Sequence, residues 1–96
     1  LGLYPVGSLV EINTGEQAIV YEPNPVDSRK PVVALLTQPN KKPRVAPFII
    51  SLAIRSQADG REITKVMDPE NIGIDVEEVM ADVEQRGERT DRKSRR

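Results

Sequence analysis

Cysteine and histidine are both absent from this chain of 96 residues. Without cysteine there is no disulfide, thiolate metal site or cysteine nucleophile, and without histidine the commonest metal ligand and general base is missing. Aromatic residues make up only 3% of the chain, so few side chains can stack on nucleobases. No apolar run approaches the roughly 18 to 20 residues of a membrane-spanning helix. These absences exclude most catalytic chemistry, and we expect no cofactor, catalytic residue or metal site in this chain and no membrane partner.

Length and net charge restrict the function further. With 38% hydrophobic residues in 96, the chain can build only a modest core, in which a deeply enclosed active site is not expected. The 14 basic and 15 acidic residues nearly cancel, which argues against a nucleic-acid partner. Because the chain begins at Leu1 without a signal-peptide pattern, we expect a soluble, cytoplasmic piece of a longer protein.

Charge divides the chain into three zones. Residues 1–67 sum to +2, residues 68–85 to −7 and residues 86–96 to +4. The last zone has no apolar residue after Gly87, and a segment that buries nothing cannot offset the entropy cost of ordering. We therefore expect a β-rich domain over residues 1–75, an amphipathic helix over 76–86 and a flexible basic tail over 87–96.

Short runs of valine and isoleucine, separated by proline, glycine, asparagine and aspartate, predict a mainly β fold. Gly15 closes a tight turn between the first two strands, and the run at 32–37 is apolar on both faces, which is typical of a central strand. Asp59-Gly60 predicts a hairpin between the last two strands. The predicted strands cover residues 8–12, 16–21, 32–37, 48–54 and 62–67, and residues 38–47 are interpreted as a loop.

Alternation within the last two strands predicts which side chains face the core. One face of the fourth strand carries Phe48, Ile50, Leu52 and Ile54, with Ile49 as an apolar exception on the other. On the fifth strand, Ile63 and Met67 are expected on one side.

A helical period replaces the two-residue period beyond Asp68-Pro69. Asp75 is placed to cap a helix, with Glu78 three residues later, and Gly87 is placed to end it. The predicted fold is a small antiparallel sheet, or an SH3-like partly open barrel, of about five strands with a C-terminal helix.

Acidic residues near the predicted helix are candidates for acid/base or metal chemistry, but a structural role explains them better. Acids stabilise a helix start, and the chain contains neither a calcium-loop motif nor a phosphate-loop glycine pattern. The acidic residues considered are Asp59, Asp68, Glu70, Asp75, Glu77 and Glu78.

Two sets of residues are candidates for interaction. The first is basic and falls in two loops that together could form a phosphate-binding patch, although solvated loops explain it more simply. The second is the apolar helix face, which covers either the domain's own sheet or another chain, including a second copy. The basic set is Arg29, Lys30, Lys41, Lys42 and Arg44, and the apolar set is Val76, Val79, Met80 and Val83.

The stretch from Tyr4 to Asp75 resembles a known segment. Its first part reads YPVGSLVEINTGEQAIV, then comes RKPVV from Arg29, and its end reads DPENIGID from Asp68. In the same order, these runs are similar to the segment that follows the HD-GYP catalytic domain of bacterial signalling phosphodiesterases. The resemblance implies a parent enzyme that hydrolyses cyclic di-GMP at a metal centre held by histidine and aspartate residues.

None of the family's catalytic residues has a counterpart in these 96 residues, since the HD and GYP motifs would lie upstream of Leu1. The resemblance therefore implies a non-catalytic accessory domain that packs on the catalytic domain or mediates dimer or partner contacts. A weaker alternative is a KOW-type or SH3-like barrel, because Gly7 to Val20 has the spacing of the KOW strand pair. Such a barrel binds RNA or a partner associated with the ribosome or polymerase.

Overall fold

The computed structural model describes residues 4–89, which form a mainly β domain with a C-terminal helix, as predicted. The long helix follows a single 3-10 turn at Pro69–Ile72. The strands are β1 (Leu9–Ile12), β2 (Gln17–Glu22), β3 (Val32–Thr37), β4 (Pro43–Ser51), β5 (Ile63–Met67) and β6 (Glu88–Arg89), and the helices are α1 (Arg55–Ala58) and α2 (Val76–Arg86).

All six strands belong to one sheet with the order β5-β1-β2-β3-β4-β6. Neighbouring strands are antiparallel except β4 and β6, which pair in parallel through Phe48 with Glu88 and Ile49 with Arg89. Strand β3 lies between β2 and β4, which confirms its predicted central position. The sheet is not closed, because its edge strands β5 and β6 do not pair with each other.

The turn between β1 and β2 depends on Gly15. Its φ of 95° lies in the left-handed region, and its backbone N–H donates to the carbonyl oxygen of Ile12 at 2.8 Å. A Cβ at this position would lie 3.1 Å from the carbonyl oxygen of Pro39. Glycine therefore meets both a conformational and a steric requirement here.

Both faces of the sheet are apolar, and each is covered differently. One face carries Val10, Val20 and Ile50 and is capped by Ala58 of α1. The other carries their chain neighbours Leu9, Ile19 and Ile49 and is covered by α2. Ile49 is only 5% exposed and belongs to the second core. The interpretation of Ile49 as an exception to the core pattern is therefore wrong.

Helix α2 has the predicted bounds and a capped first turn. The carboxylate of Asp75 accepts hydrogen bonds from the backbone N–H groups of Glu77 and Glu78, and Gly87 follows the last helical residue. Its apolar face packs on the sheet, where Val83 is 1% exposed. Val76, Val79 and Met80 are partly buried against the same cluster.

Four local predictions for the second half are wrong. Strand β4 begins at Pro43 inside the predicted loop, and Ile54 is 47% exposed because the chain leaves the sheet after Ser51. The predicted hairpin at Asp59-Gly60 does not form, because α1 precedes these residues and β5 pairs with β1 rather than with β4. A register shift between β1 and β5, in which Thr64 is an extra residue on β5, places Ile63 and Met67 in opposite cores.

The end of the chain departs from the predicted flexible tail at two residues. Glu88 and Arg89 form β6, and the Arg89 guanidinium lies 5.8 Å from the centroid of the Tyr21 ring. The rest of that predicted tail, from residue 90, lies outside the described residues. Between residues 4 and 89, no helix combines the length and apolar character needed to cross a bilayer.

Candidate functional site: a basic cleft beside the first helix

A cleft of about 690 Å³ lies against α1. Its walls come from the loop between β2 and β3, from α1 and the chain on either side of it, from the start of β5 and from Tyr4 before β1. The side chains and backbone that line it belong to Tyr4, Arg29, Lys30, Leu52, Ala53, Arg55, Ala58, Gly60, Arg61, Glu62 and Ile63.

The lining is cationic on an apolar base. Arg29, Lys30, Arg55 and Arg61 bring four positive charges, against the single carboxylate of Glu62. The apolar part includes the buried side chains of Leu52 and Ala58 and the partly buried Tyr4 and Ile63. A concave apolar surface with a few convergent charges of one sign is suited to an anionic small molecule.

Arg61 is held in place by a carboxylate beneath the cleft. Its Nε donates to Glu16 Oε1 at 2.7 Å and its Nη2 to Glu16 Oε2 at 3.4 Å. Glu16 itself has no exposed surface, although it is charged. On its other side, Arg44 Nη2 donates to Oε2 at 2.9 Å, and the Arg44 guanidinium lies over the Phe48 ring. One buried carboxylate therefore fixes two guanidinium groups from distant parts of the chain.

The surroundings of Glu16 favour its charged form. Burial alone would raise the pKa of this carboxyl group, but the hydrogen bonds from Arg61, Thr14 and Arg44 outweigh that effect and lower the pKa below its ordinary value. The group stays ionised at neutral pH. The three charges of Glu16, Arg44 and Arg61 then sum to +1, so the buried carboxylate does not cancel the positive charge that Arg61 brings to the cleft.

The loop between β2 and β3 is ordered by its own polar side chains. Asn24 Oδ1 accepts from the backbone N–H of Val26 at 3.0 Å, and Asn24 Nδ2 donates to the carbonyl oxygen of Lys30 at 3.1 Å. Asp27 accepts from the backbone N–H and the Nε of Arg29, and the backbone bond is the main cause of its lowered pKa. These turns hold Arg29 and Lys30 at the rim of the cleft.

The predicted basic set divides into two groups. Arg29 and Lys30 lie in the loop before β3 and Lys41 and Lys42 in the loop after it, so the two loops adjoin opposite ends of that strand. Arg44 lies within β4, so its predicted position in a loop is wrong. Lys41 Nζ is engaged with Glu11 and with the carbonyl oxygen of Gly15, both at 3.2 Å. Of the five residues in the predicted basic set, only Arg29 and Lys30 line the cleft.

No family model, curated protein or solved structure matches the chain.

Two of the acidic candidates, Asp68 and Asp75, cap helical segments. Asp68 accepts from the backbone N–H of Glu70 at the start of the 3-10 turn, and Asp75 caps α2. Within residues 4–89, no three acidic side chains are grouped closely enough to hold a metal ion.

Sequence patterns indicated part of the cleft. Arg29 and Lys30 were identified because they are adjacent cations in a proline-bounded loop. Arg55, Arg61 and Glu16 were not, since the ion pair between Glu16 and Arg61 joins residues 45 positions apart. A charged residue within the apolar alternation at the start of β2 was the one available signal for Glu16.

Proposed function

We propose that the chain is a non-catalytic accessory domain of a bacterial HD-GYP-type cyclic di-GMP phosphodiesterase, acting in the cytoplasm by packing on the catalytic domain. The resemblance from Tyr4 to Asp75 carries this proposal. Several of the matching residues lie where the backbone requires a glycine or a capping aspartate. This supports a resemblance with a structural basis over a similarity due to chance. Gly7 and Gly73 have φ of 92° and 69°, and Asp68 and Asp75 cap successive helical segments.

The edge of the sheet supports an interaction role. Among the strands of residues 4–89, β5 has β1 on one side and none on the other. Val66 on this strand is 57% exposed. An edge strand with an exposed valine offers backbone hydrogen-bonding groups and apolar surface to a second polypeptide. The catalytic domain is the partner that the resemblance implies.

Binding to an HD-GYP catalytic domain that lacks its own C-terminal segment tests the proposal. Isothermal titration calorimetry should give one site per chain, weakened about tenfold by Val66→Lys because a charge would be buried at the contact. Val45→Lys is the matched control. Val45 is 91% exposed and lies on β4, which is towards the opposite edge of the sheet from β5.

Two results would contradict the proposal. One is the absence of heat at protein concentrations that detect micromolar binding. The other is hydrolysis of cyclic di-GMP by the purified 96 residues with manganese or iron, which would make the domain an enzyme in its own right.

A further inference from the structure

We propose that the basic cleft beside α1 binds a mononucleotide-sized ligand, with a phosphate group on the cations and a planar ring against Tyr4 and the apolar base. This inference goes beyond the accessory role and does not depend on it. The cleft volume of about 690 Å³ falls within the range of small-molecule sites.

The phosphate end is defined by cations with spare donors. Lys30 and Arg55 are exposed and form no ion pair with any other residue between 4 and 89. Arg29 stands beside Lys30 and is oriented by Asp27. Lysine and arginine are the side chains that most often bind phosphate oxygens, and here they converge on one concavity.

Arg61 supplies a donor that is already positioned. Its Nε and Nη2 each donate one hydrogen to Glu16, and its Nη1 donates to the carbonyl oxygen of Ala58 at 3.4 Å. A guanidinium has five N–H groups, so two remain for a ligand. Because the side chain is fixed before binding, little rotamer entropy is lost when a ligand docks.

The ring end is defined by an aromatic side chain, aliphatic groups and one acceptor. Tyr4 and Ile63 pack at the margin of the core, and Leu52 and Ala58 are buried beneath the cleft. A nucleobase has an apolar face suited to stacking on such a surface. Glu62 can accept hydrogen bonds from the ring's exocyclic amine, which an anion site made only of cations could not do.

Titration of the isotope-labelled chain with adenosine monophosphate, followed by NMR, tests the inference. Saturable shifts should cluster on the backbone amides of Ala53, Gly60 and Glu62. Adenosine and inorganic phosphate, used separately, should each bind at least about tenfold more weakly, because each makes only part of the contacts.

Charge reversal identifies the site. Lys30→Glu and Arg55→Glu should each weaken adenosine monophosphate binding by at least about tenfold. Lys42→Glu makes the same change of charge on an exposed residue outside the cleft, and it should alter the affinity less than about twofold because solvent screens a distant charge.

Several outcomes would overturn the inference. The absence of saturable shifts up to about 10 mM ligand would rule out even a millimolar site. Equal loss from Lys42→Glu would indicate general charge attraction. Equal affinity for adenosine would remove the role of the phosphate, and equal affinity for inorganic phosphate would remove the role of the ring. None of these outcomes alters the expected result with the catalytic domain.

Discussion

Replacing Glu16 by glutamine should strongly destabilise the fold while leaving its shape unchanged. The glutamine side chain is nearly isosteric, so the substitution removes the negative charge between Arg44 and Arg61 and replaces one acceptor oxygen by an NH2 group that cannot accept their hydrogen bonds. Glu16 is fully buried, and its two partners are only 24% and 19% exposed. Removing one member of a buried ion pair costs about 3–5 kcal/mol, because the remaining charges stay desolvated without compensation.

That loss of stability is large relative to the total free energy of unfolding of the domain. A small domain has a free energy of unfolding of about 5–15 kcal/mol, so the variant should keep only part of it. Urea denaturation followed by circular dichroism at pH 7 measures the difference, with an unchanged m value indicating that the folded state is equally compact. Glu11→Gln is the control, since Glu11 pairs with Lys41 and Lys65 at the surface and should matter much less.

The pH dependence gives an independent check. Because the pKa of Glu16 is lowered on folding, the unfolded chain binds more protons than the folded one near pH 4. The stabilisation is therefore complete well above the unfolded pKa of about 4.3 and is lost as pH falls through the folded pKa. Since a protonated Glu16 resembles glutamine, the two proteins should converge in stability as the pH is lowered. A difference below about 1 kcal/mol at pH 7, or one that stays constant down to pH 3, would refute this account.

Two further substitutions test how α2 is attached to the sheet. Val83→Ala should lower the free energy of unfolding in urea by about 1–3 kcal/mol, because it leaves a cavity against Ile49 and its neighbours, and a loss confined to oligomerisation would contradict this. Gly87→Ala should cost about 1–3 kcal/mol through overpacking, since the added Cβ would overlap the carbonyl oxygen of Val83 and lie 2.7 Å from Ile49 Cδ1. The φ of Gly87 is −62°, which any residue adopts, so backbone strain does not contribute, and an unchanged free energy of unfolding in Gly87→Ala would argue against overpacking.

The sequence-based predictions succeeded where structure is determined by neighbouring residues. The turn at Gly15, the central strand β3 and the capped helix α2 each follow from signals a few residues apart. The start of β4 was missed because Pro43 and Pro47 read as a loop. In the structure, β6 covers β4 only at Phe48 and Ile49, so both prolines lie along an edge, where a missing N–H is tolerated.

The remaining errors come from long-range pairing. Nothing near Asp59-Gly60 indicates that the following strand crosses to β1, because the competing hairpin with β4 uses the same turn residues. The cleft was not predicted for the same reason, because its position depends on where α1 and the start of β5 lie relative to the loop before β3. Composition identified cations in that loop, whereas Arg55 and Arg61 required the three-dimensional path of the chain.

The pairing of β1 with β5 also constrains how the domain can assemble. Strands β1 to β4 form a meander of successive neighbours, but the partner on the free side of β1 comes from much later in the chain, as in the bond from the Thr64 hydroxyl to the Glu11 carbonyl oxygen, 53 positions apart. Such contacts form slowly because a long loop must close first. During translation, β1 would emerge before β5, and one edge of β1 would stay unpaired until residue 67 leaves the ribosome. A nascent chain stopped before β5 would therefore expose an unpaired, mostly apolar strand, and chaperone capture or aggregation should peak at that length.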